Sequence, residues 1–210
     1  MTFPLLGYMA VYAYGLPVLA GGIRYTRLHR RDKVFYLFCV FNVIGVVTED
    51  ILSEYNYHNH LFINIFRLME ITFLSVLFYL WFERKQFKTL SRIAPVVFGA
   101  TWIVTNILFH FTAPFNTIDA TLANAIRIIL SSALLFELIY SHDHPFIQDK
   151  LFWIALGIFM YNSIFIIILM LSNWLLQQGM SYFYIAWHVN WSLSILCNIL
   201  FSLSFFIQRP

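Results

Sequence analysis

Seven long apolar segments separated by short gaps constrain the fold of this chain more than any other feature of its sequence. They span approximately residues 3–23, 34–53, 60–82, 93–113, 119–140, 151–175 and 181–207. Each is close to the ~20 residues that an α-helix needs to cross a hydrocarbon core about 30 Å thick. Because 60% of the residues are hydrophobic and only 11% are charged, the composition lies outside the soluble range. We therefore predict an all-α membrane protein, with one domain of seven transmembrane helices over residues 1–210.

Lys and Arg are concentrated in alternate gaps between the segments. Of the thirteen Lys and Arg residues, only Arg67 and Arg127 lie inside a segment. The others fall at 24–33, 84–92, 150 and 209, whereas the gaps at 54–59, 114–118 and 176–180 contain none. The positive-inside rule then predicts that the N-terminus faces outward and that the C-terminus faces the cytoplasm.

A weak internal repeat relates the two ends of the chain. The sequence 32–36, at the start of the second segment, shares three of its five residues with the sequence 149–153 at the start of the sixth. A ten-residue step from His to a polar residue also recurs in the third and seventh segments, from His60 to Glu70 and from His188 to Asn198. These matches favour two parallel three-helix units joined by the fourth helix, as in some transporters. Chance recurrence of charged and aromatic residues at membrane interfaces is the alternative.

Polar side chains within the segments are concentrated in the outer half of the predicted bundle. A charge inside a spanning helix costs about 2.5–3.5 kcal/mol on insertion scales and usually faces a partner in the bundle interior. Asn64 shares a helix face with Arg67, and Asn124 with Arg127, because a three-residue step returns to nearly the same side. The predicted ligand-binding residues are Glu49, Asp50, Asn64, Arg67, Glu70, Asn124, Arg127, His188 and Asn190.

Two interpretations of this polar cluster are open. In the first, a water-accessible outer pocket uses one or both guanidinium groups to bind an anionic or strongly polar ligand. In the second, Arg67 and Arg127 form closed interhelical salt bridges with Glu49, Asp50 or Glu70. Glu70 lies nearest to the membrane centre, where it either relays protons or pairs with Arg67 one turn away.

The histidines match no established metal-binding motif. His188 has Trp187 and Trp191 as neighbours, and a neutral hydrogen-bonding role is favoured there over a pH sensor or a metal ligand. His58 and His60 form an outer-loop cluster with nearby carboxylates, but their spacing fits no tight zinc motif. We therefore expect no metal and no other cofactor. The net charge of +3 follows from topology, so we expect no nucleic-acid partner.

The stretch from Lys150 to Tyr161 resembles a phrase found in small seven-helix membrane proteins of Bacteroidota. The acidic end of the second segment, the Asn- and aromatic-rich start of the third and the chain length agree with that group. The group has no established activity. The resemblance therefore implies a seven-helix topology and a location in the bacterial cytoplasmic (inner) membrane, and it carries over no catalytic or binding residue.

Three functions are compatible with this sequence. The predicted one is a ligand-binding or sensory membrane protein, in which short loops would require a partner protein or another subunit of a homo-oligomer to carry a signal. The second is a small transporter of a polar or anionic solute, which the repeat favours although few Gly and Pro residues interrupt the helices. The third is a membrane-embedded lipid-modifying enzyme with Glu49, Asp50, His110 and His188 as acid-base groups. The sequence contains no recognised catalytic motif to support it.

Overall fold

The chain is all-helical in a computed structural model that describes residues 5–55, 60–108, 117–141 and 145–207. The α-helices are α1 Leu5–Ala13, α2 Gly15–Arg24, α3 Arg30–Glu54, α4 His60–Trp81, α5 Lys85–Leu108, α6 Thr117–Ser141, α7 Lys150–Gln178 and α8 Met180–Ser204. No strand occurs among the described residues. Seven spans, the first of which contains both α1 and α2, are long and apolar enough to cross a membrane. The prediction of an all-α, multi-pass membrane protein is confirmed.

The first span is interrupted at Tyr14, so it consists of two helices where the sequence predicted one. Pro17 has no backbone N–H, and therefore the carbonyl of Ala13 lacks its usual helical donor. The N–H of Tyr14 donates to the carbonyl of Val11 at 3.2 Å, which is the tighter pattern of a 3₁₀ turn. The interruption is a local effect of Pro17, which hydropathy alone does not show.

Parts of the basic clusters form the first turns of helices, whereas Arg27 and Arg84 lie in the connecting segments. Helix α3 begins at Arg30 and α5 begins at Lys85, each before its apolar segment. Lys and Arg are good helix formers, and their long apolar stems let the charges reach the membrane interface. The Nη2 of Arg92 donates to the hydroxyl of Tyr79 at 2.6 Å, which ties the start of α5 to α4.

The helices pack in a closed ring. Helices that follow one another along the chain are neighbours, and α1 and α2 close the ring by packing against α8. Helix α4 also contacts α6 directly, which leaves α5 at the periphery against α4 and α6. The centre of the ring is therefore surrounded by every span except that of α5, which contributes Ala94 and Phe98 to the core from the side.

One end of the bundle carries most of the positive charge, and we call it the basic end. Here α2, α4, α6 and α8 finish and α3, α5 and α7 begin. Phe35 is 2% exposed, and its ring centroid lies 5.4–5.7 Å from those of Phe201, Phe205 and Trp81. We call these four residues the Phe35 layer. They fill the bundle interior close to the basic end.

Candidate functional site: a polar cavity at the centre of the bundle

A polar cavity with a volume of about 80 Å³ lies inside the ring of helices. Residues from every span except that of α5 line it. Its polar lining residues are Tyr14, Asn42, Glu70, Arg127, Tyr161, Asn162, Ser194 and Asn198. Since a water molecule takes up about 30 Å³ in the liquid, the cavity has room for a few waters or one small solute.

An ion pair between Arg127 and Glu70 forms the charged part of the cavity wall. The two side chains are 11% and 21% exposed respectively. The Nη1 of Arg127 also donates to Oδ1 of Asn124 at 3.3 Å and to Oδ1 of Asn162 at 3.4 Å. Its Nε is buried and has no acceptor among the described residues. The guanidinium thus joins α4, α6 and α7 and retains one donor that the described side chains do not satisfy.

The ion pair lies at mid-depth in the bundle. Glu70 is ten residues after His60, the first residue of α4, and Arg127 is ten residues after Thr117, the first residue of α6. At 1.5 Å of rise per residue, both side chains lie about 15 Å from the helix ends. That distance is half of a hydrocarbon core about 30 Å thick.

Glu70 pairs with Arg127, where the sequence left open whether it relays protons, pairs with Arg67 or pairs with Arg127. Arg67 lies nearly one turn closer to the start of α4. Arg127 lies at the same depth as Glu70 on α6, which contacts α4 directly. The interhelical contact therefore determines which guanidinium reaches the carboxylate. Asn124 contacts Arg127 as their shared helix face predicted.

Arg67 and the acidic end of α3 form an outer group near this pair. Arg67 is half-buried, and the charges of Arg127, Glu70, Asp119 and Glu49 act on its guanidinium. Glu49 and Asp50 are both exposed and lie near the end of α3. Unlike Glu70, the outer residues Arg67, Glu49 and Asp50 do not line the central cavity.

Asn64 has a structural contact in the same region. Its side chain is 7% exposed, and its backbone carbonyl accepts a hydrogen bond from the indole N–H of Trp102 at 3.2 Å. That bond joins α4 to α5. Asn64 does not line the central cavity.

His188 does not line the central cavity. Its side chain is exposed, its Nδ1 lies 2.6 Å from the carbonyl oxygen of Tyr184, and it lines a shallow recess formed by α8 alone. Asn190 is buried, with no donor to its side-chain oxygen among the described residues, and it does not line the central cavity. His110 and His58 lie outside the described residues.

Asp119 is a buried carboxylate that the sequence did not single out. It is 0% exposed and accepts hydrogen bonds from Oγ1 of Thr105 at 2.7 Å and from Nδ2 of Asn106 at 3.4 Å. Its place at the start of an apolar segment resembled that of an interfacial residue. Helix α6 begins two residues earlier, at Thr117, and a carboxylate in the first turn also interacts favourably with the helix dipole.

Several cavity residues were also missed, although the sequence contained a signal for some of them. Asn42 and Asn162 are isolated amides within apolar segments, and polar groups at such positions generally face the bundle interior. Tyr14 carried no such signal, because a tyrosine is equally common at membrane interfaces. Its hydroxyl is hydrogen-bonded to Ser194 on α8, which links the interrupted first span to the last helix.

No protein-family model, curated protein or solved structure matches the chain. Across the described ranges, no group of three or more His, Cys, Asp or Glu side chains is placed to hold a metal ion. The chemistry of the cavity therefore has to be inferred from its own residues. These offer one charged pair, several amides and several hydroxyl groups.

Proposed function

We propose that the protein is a small transporter of the bacterial inner membrane that binds a small polar or anionic solute in its central cavity. The observation that carries this proposal is the placement of the Arg127–Glu70 pair at mid-depth in a cavity lined by six of the seven spans. Secondary transporters commonly bind their substrates near the bilayer midplane between structural repeats.

The interruption of the first span supports transport, because it occurs at the cavity. Tyr14 and Pro17 both line the cavity, and Tyr14 is the residue at which α1 gives way to α2. Discontinuous helices at substrate sites are a recurrent feature of transporters. A span that is already interrupted at this level requires less backbone hydrogen bonding to be broken when it moves.

The helix contacts support an arrangement of two three-helix units around the cavity. One unit would contain the first span with α3 and α4, and the other would contain α6, α7 and α8. The contact of α4 with α6 is then equivalent to the contact of α8 with the first span. Peripheral α5 becomes the connection, as the repeat at 32–36 and 149–153 indicates. The solute would bind between the two units.

The lining defines the chemical class of the solute. The buried Nε–H of Arg127 has no acceptor among the described residues. It therefore favours a solute that carries a hydrogen-bond acceptor or a negative charge. The amides of Asn162 and Asn198 and the hydroxyl of Tyr14 line the same cavity and can both donate and accept hydrogen bonds. A volume of about 80 Å³ restricts the solute to a few non-hydrogen atoms in this conformation.

A sensory role is the second candidate, and the continuity of the remaining helices favours it. Helices α3 to α8 run without an interruption, so the cavity could hold a ligand without opening a path across the membrane. Any signal would then pass to a partner protein or through a homo-oligomer. Binding of a solute without its transport would identify this role.

The experiment is a screen of small polar and anionic solutes for stabilisation of the purified protein, followed by uptake of each active solute into proteoliposomes. The test variant is Glu70→Gln/Arg127→Gln, which removes both charges and leaves neither one unpaired. Arg67→Gln is the matched control, because Arg67 is the other intramembrane arginine and does not line the cavity.

We expect at least one solute to stabilise both the wild type and Arg67→Gln, and to be taken up by both. The same solute should neither stabilise the double variant nor be taken up by it. Tyr14→Phe, which removes a single hydroxyl from the cavity, should weaken binding without preventing folding. Stabilisation of the double variant equal to that of the wild type would contradict the assignment of the site. Stabilisation without uptake would replace transport by the sensory role.

A further inference from the structure

A second cavity, larger than the central one, lies at the basic end of the bundle. Its volume is about 600 Å³, within the range of small-molecule and cofactor sites. It is formed where the 3₁₀ turn Tyr25–Arg27 leads into α3, and the start of α7 and the end of α8 complete the wall. Phe35, Trp81 and Phe205 of the Phe35 layer also line it.

The walls of this cavity are strongly cationic. Four arginines and one lysine line it against a single carboxylate: Arg24, Arg27, Arg30, Arg31, Lys150 and Asp32. The carboxylate of Asp32 is already engaged by Lys150, and the guanidinium of Arg24 lies over the ring of Phe206. Arg27, Arg30 and Arg31 are exposed, so their donors are available to an anion in the cavity.

An unsatisfied donor at the inner wall is a second, independent indication of a ligand. Trp81 is 3% exposed and lines the cavity. Its indole N–H is buried and has no acceptor among the described residues. Buried donors are normally satisfied, because an unpaired one keeps the cost of its lost hydration without compensation. A ligand that brings an acceptor oxygen into the cavity would provide the missing partner.

We propose that this basic cavity binds a phosphate-bearing anion through the exposed guanidinium groups of Arg27, Arg30 and Arg31, with Trp81 at its inner wall. A planar guanidinium group can donate two parallel hydrogen bonds to two oxygens of one phosphate. A cavity walled by several such groups also attracts anions through its positive charge. The apolar rings of the Phe35 layer separate this site from the central cavity. The phosphate belongs either to a free solute or to the headgroup of an anionic lipid, since the cavity lies at the predicted cytoplasmic interface.

The proposal can be tested by thermal unfolding of the full chain with two probes. Inorganic phosphate is titrated against chloride at matched ionic strength in neutral detergent. Separately, nanodiscs of phosphatidylcholine are compared with nanodiscs that also contain phosphatidylglycerol. The variant is Arg27→Gln/Arg31→Gln, and the control is Lys85→Gln/Lys88→Gln, which removes two positive charges from the same end but outside the cavity.

We expect stabilisation of the wild type and of the Lys control, whereas the Arg double variant should require at least about tenfold more probe. A response to inorganic phosphate identifies a free phosphorylated solute, and a response only to phosphatidylglycerol identifies a lipid headgroup. The proposal is overturned if neither probe stabilises the wild type, or if both double variants lose the response equally. Should the Arg variant not fold, Trp81→Phe replaces it, with an expected loss of affinity of about threefold; an unchanged affinity would overturn the proposal.

Discussion

The Arg127–Glu70 pair shows how a charge can be retained inside a membrane. The guanidinium donates to one carboxylate and two amides on three helices. Removing one partner of a buried pair leaves an uncompensated charge, whereas removing both leaves two neutral groups. The pair therefore matters for stability mainly because each side chain prevents the other from being a buried, unpaired charge.

Neutralising one partner should destabilise the protein more than neutralising both. We expect Glu70→Gln and Arg127→Gln each to lower the free energy of unfolding by about 3 kcal/mol. The double variant should lose roughly half of that or less, because no unpaired charge remains buried. Unfolding of the four proteins in increasing sodium dodecyl sulfate measures this cycle. If the two single effects added in the double variant, the side chains would not be coupled.

Sequence reasoning identified the charged residues of the site but not their pairing. Arg127, Glu70 and Asn124 are conspicuous because they are polar residues inside apolar segments. Their pairing depends on the rotation and relative depth of α4 and α6, which a periodic pattern does not contain. The same limit explains why His188 was predicted to face the pocket although its side chain is exposed. Both faces of α8 are apolar, so hydropathy does not show which of them faces the bundle interior.

At the level of helices, glycine determines how closely α3 approaches α4. Gly45 is buried in α3, and a methyl group at its Cα would overlap the ring of Phe66 on α4. That ring is stacked on Phe41, with centroids 4.6 Å apart. Small residues commonly permit such close contacts between membrane helices. Gly99 in α5 is different. A methyl group at its Cα would have its nearest neighbour, the side chain of Leu68, 4.0 Å away.

Alanine should have opposite effects at these two glycines. Gly45→Ala forces the Phe66 ring off Phe41, and overpacking of this kind costs about 1–3 kcal/mol. Gly99→Ala meets no obstacle and should be neutral or stabilise by up to about 1 kcal/mol, since alanine is the better helix former. Thermal unfolding of both variants in one detergent measures the difference. Equal shifts in Tm would show that the α3–α4 contact is not limited by side-chain volume at Gly45.

At the level of the whole molecule, hydropathy predicts the number and order of the spans. Each apolar segment must satisfy its own backbone hydrogen bonds in lipid, and it therefore forms a helix. Pro17 is visible in the sequence as a break in a helix interior, but hydropathy does not show that the first span divides there, since Pro95 lies inside the continuous helix α5. The ring in which α5 is peripheral was not predicted either, since the segments are similar in length and hydropathy. The sequence predicted a polar pocket that contains Arg127 and Glu70, but the walls of both cavities follow from that ring and were not predicted.

The orientation of the bundle is the prediction that connects both cavities to their sources of ligand. The positive-inside rule predicts that the basic end faces the cytoplasm, and the phosphate site would then sample cytoplasmic anions or inner-leaflet headgroups. Lys85 is exposed at the basic end and Gln178 is exposed at the opposite end. The native thiols Cys39 and Cys197 are both buried, which keeps background labelling low.

A membrane-impermeant maleimide applied to intact cells should therefore label Gln178→Cys and leave Lys85→Cys unlabelled. Permeabilising the membrane should make Lys85→Cys reactive, and the wild type should stay unlabelled in both conditions. Mass spectrometry of the purified protein quantifies the adduct. The inverse pattern would place the basic end outside the cell, where the phosphate site would face extracellular solutes. The positive-inside rule would then not account for the concentration of Lys and Arg at that end.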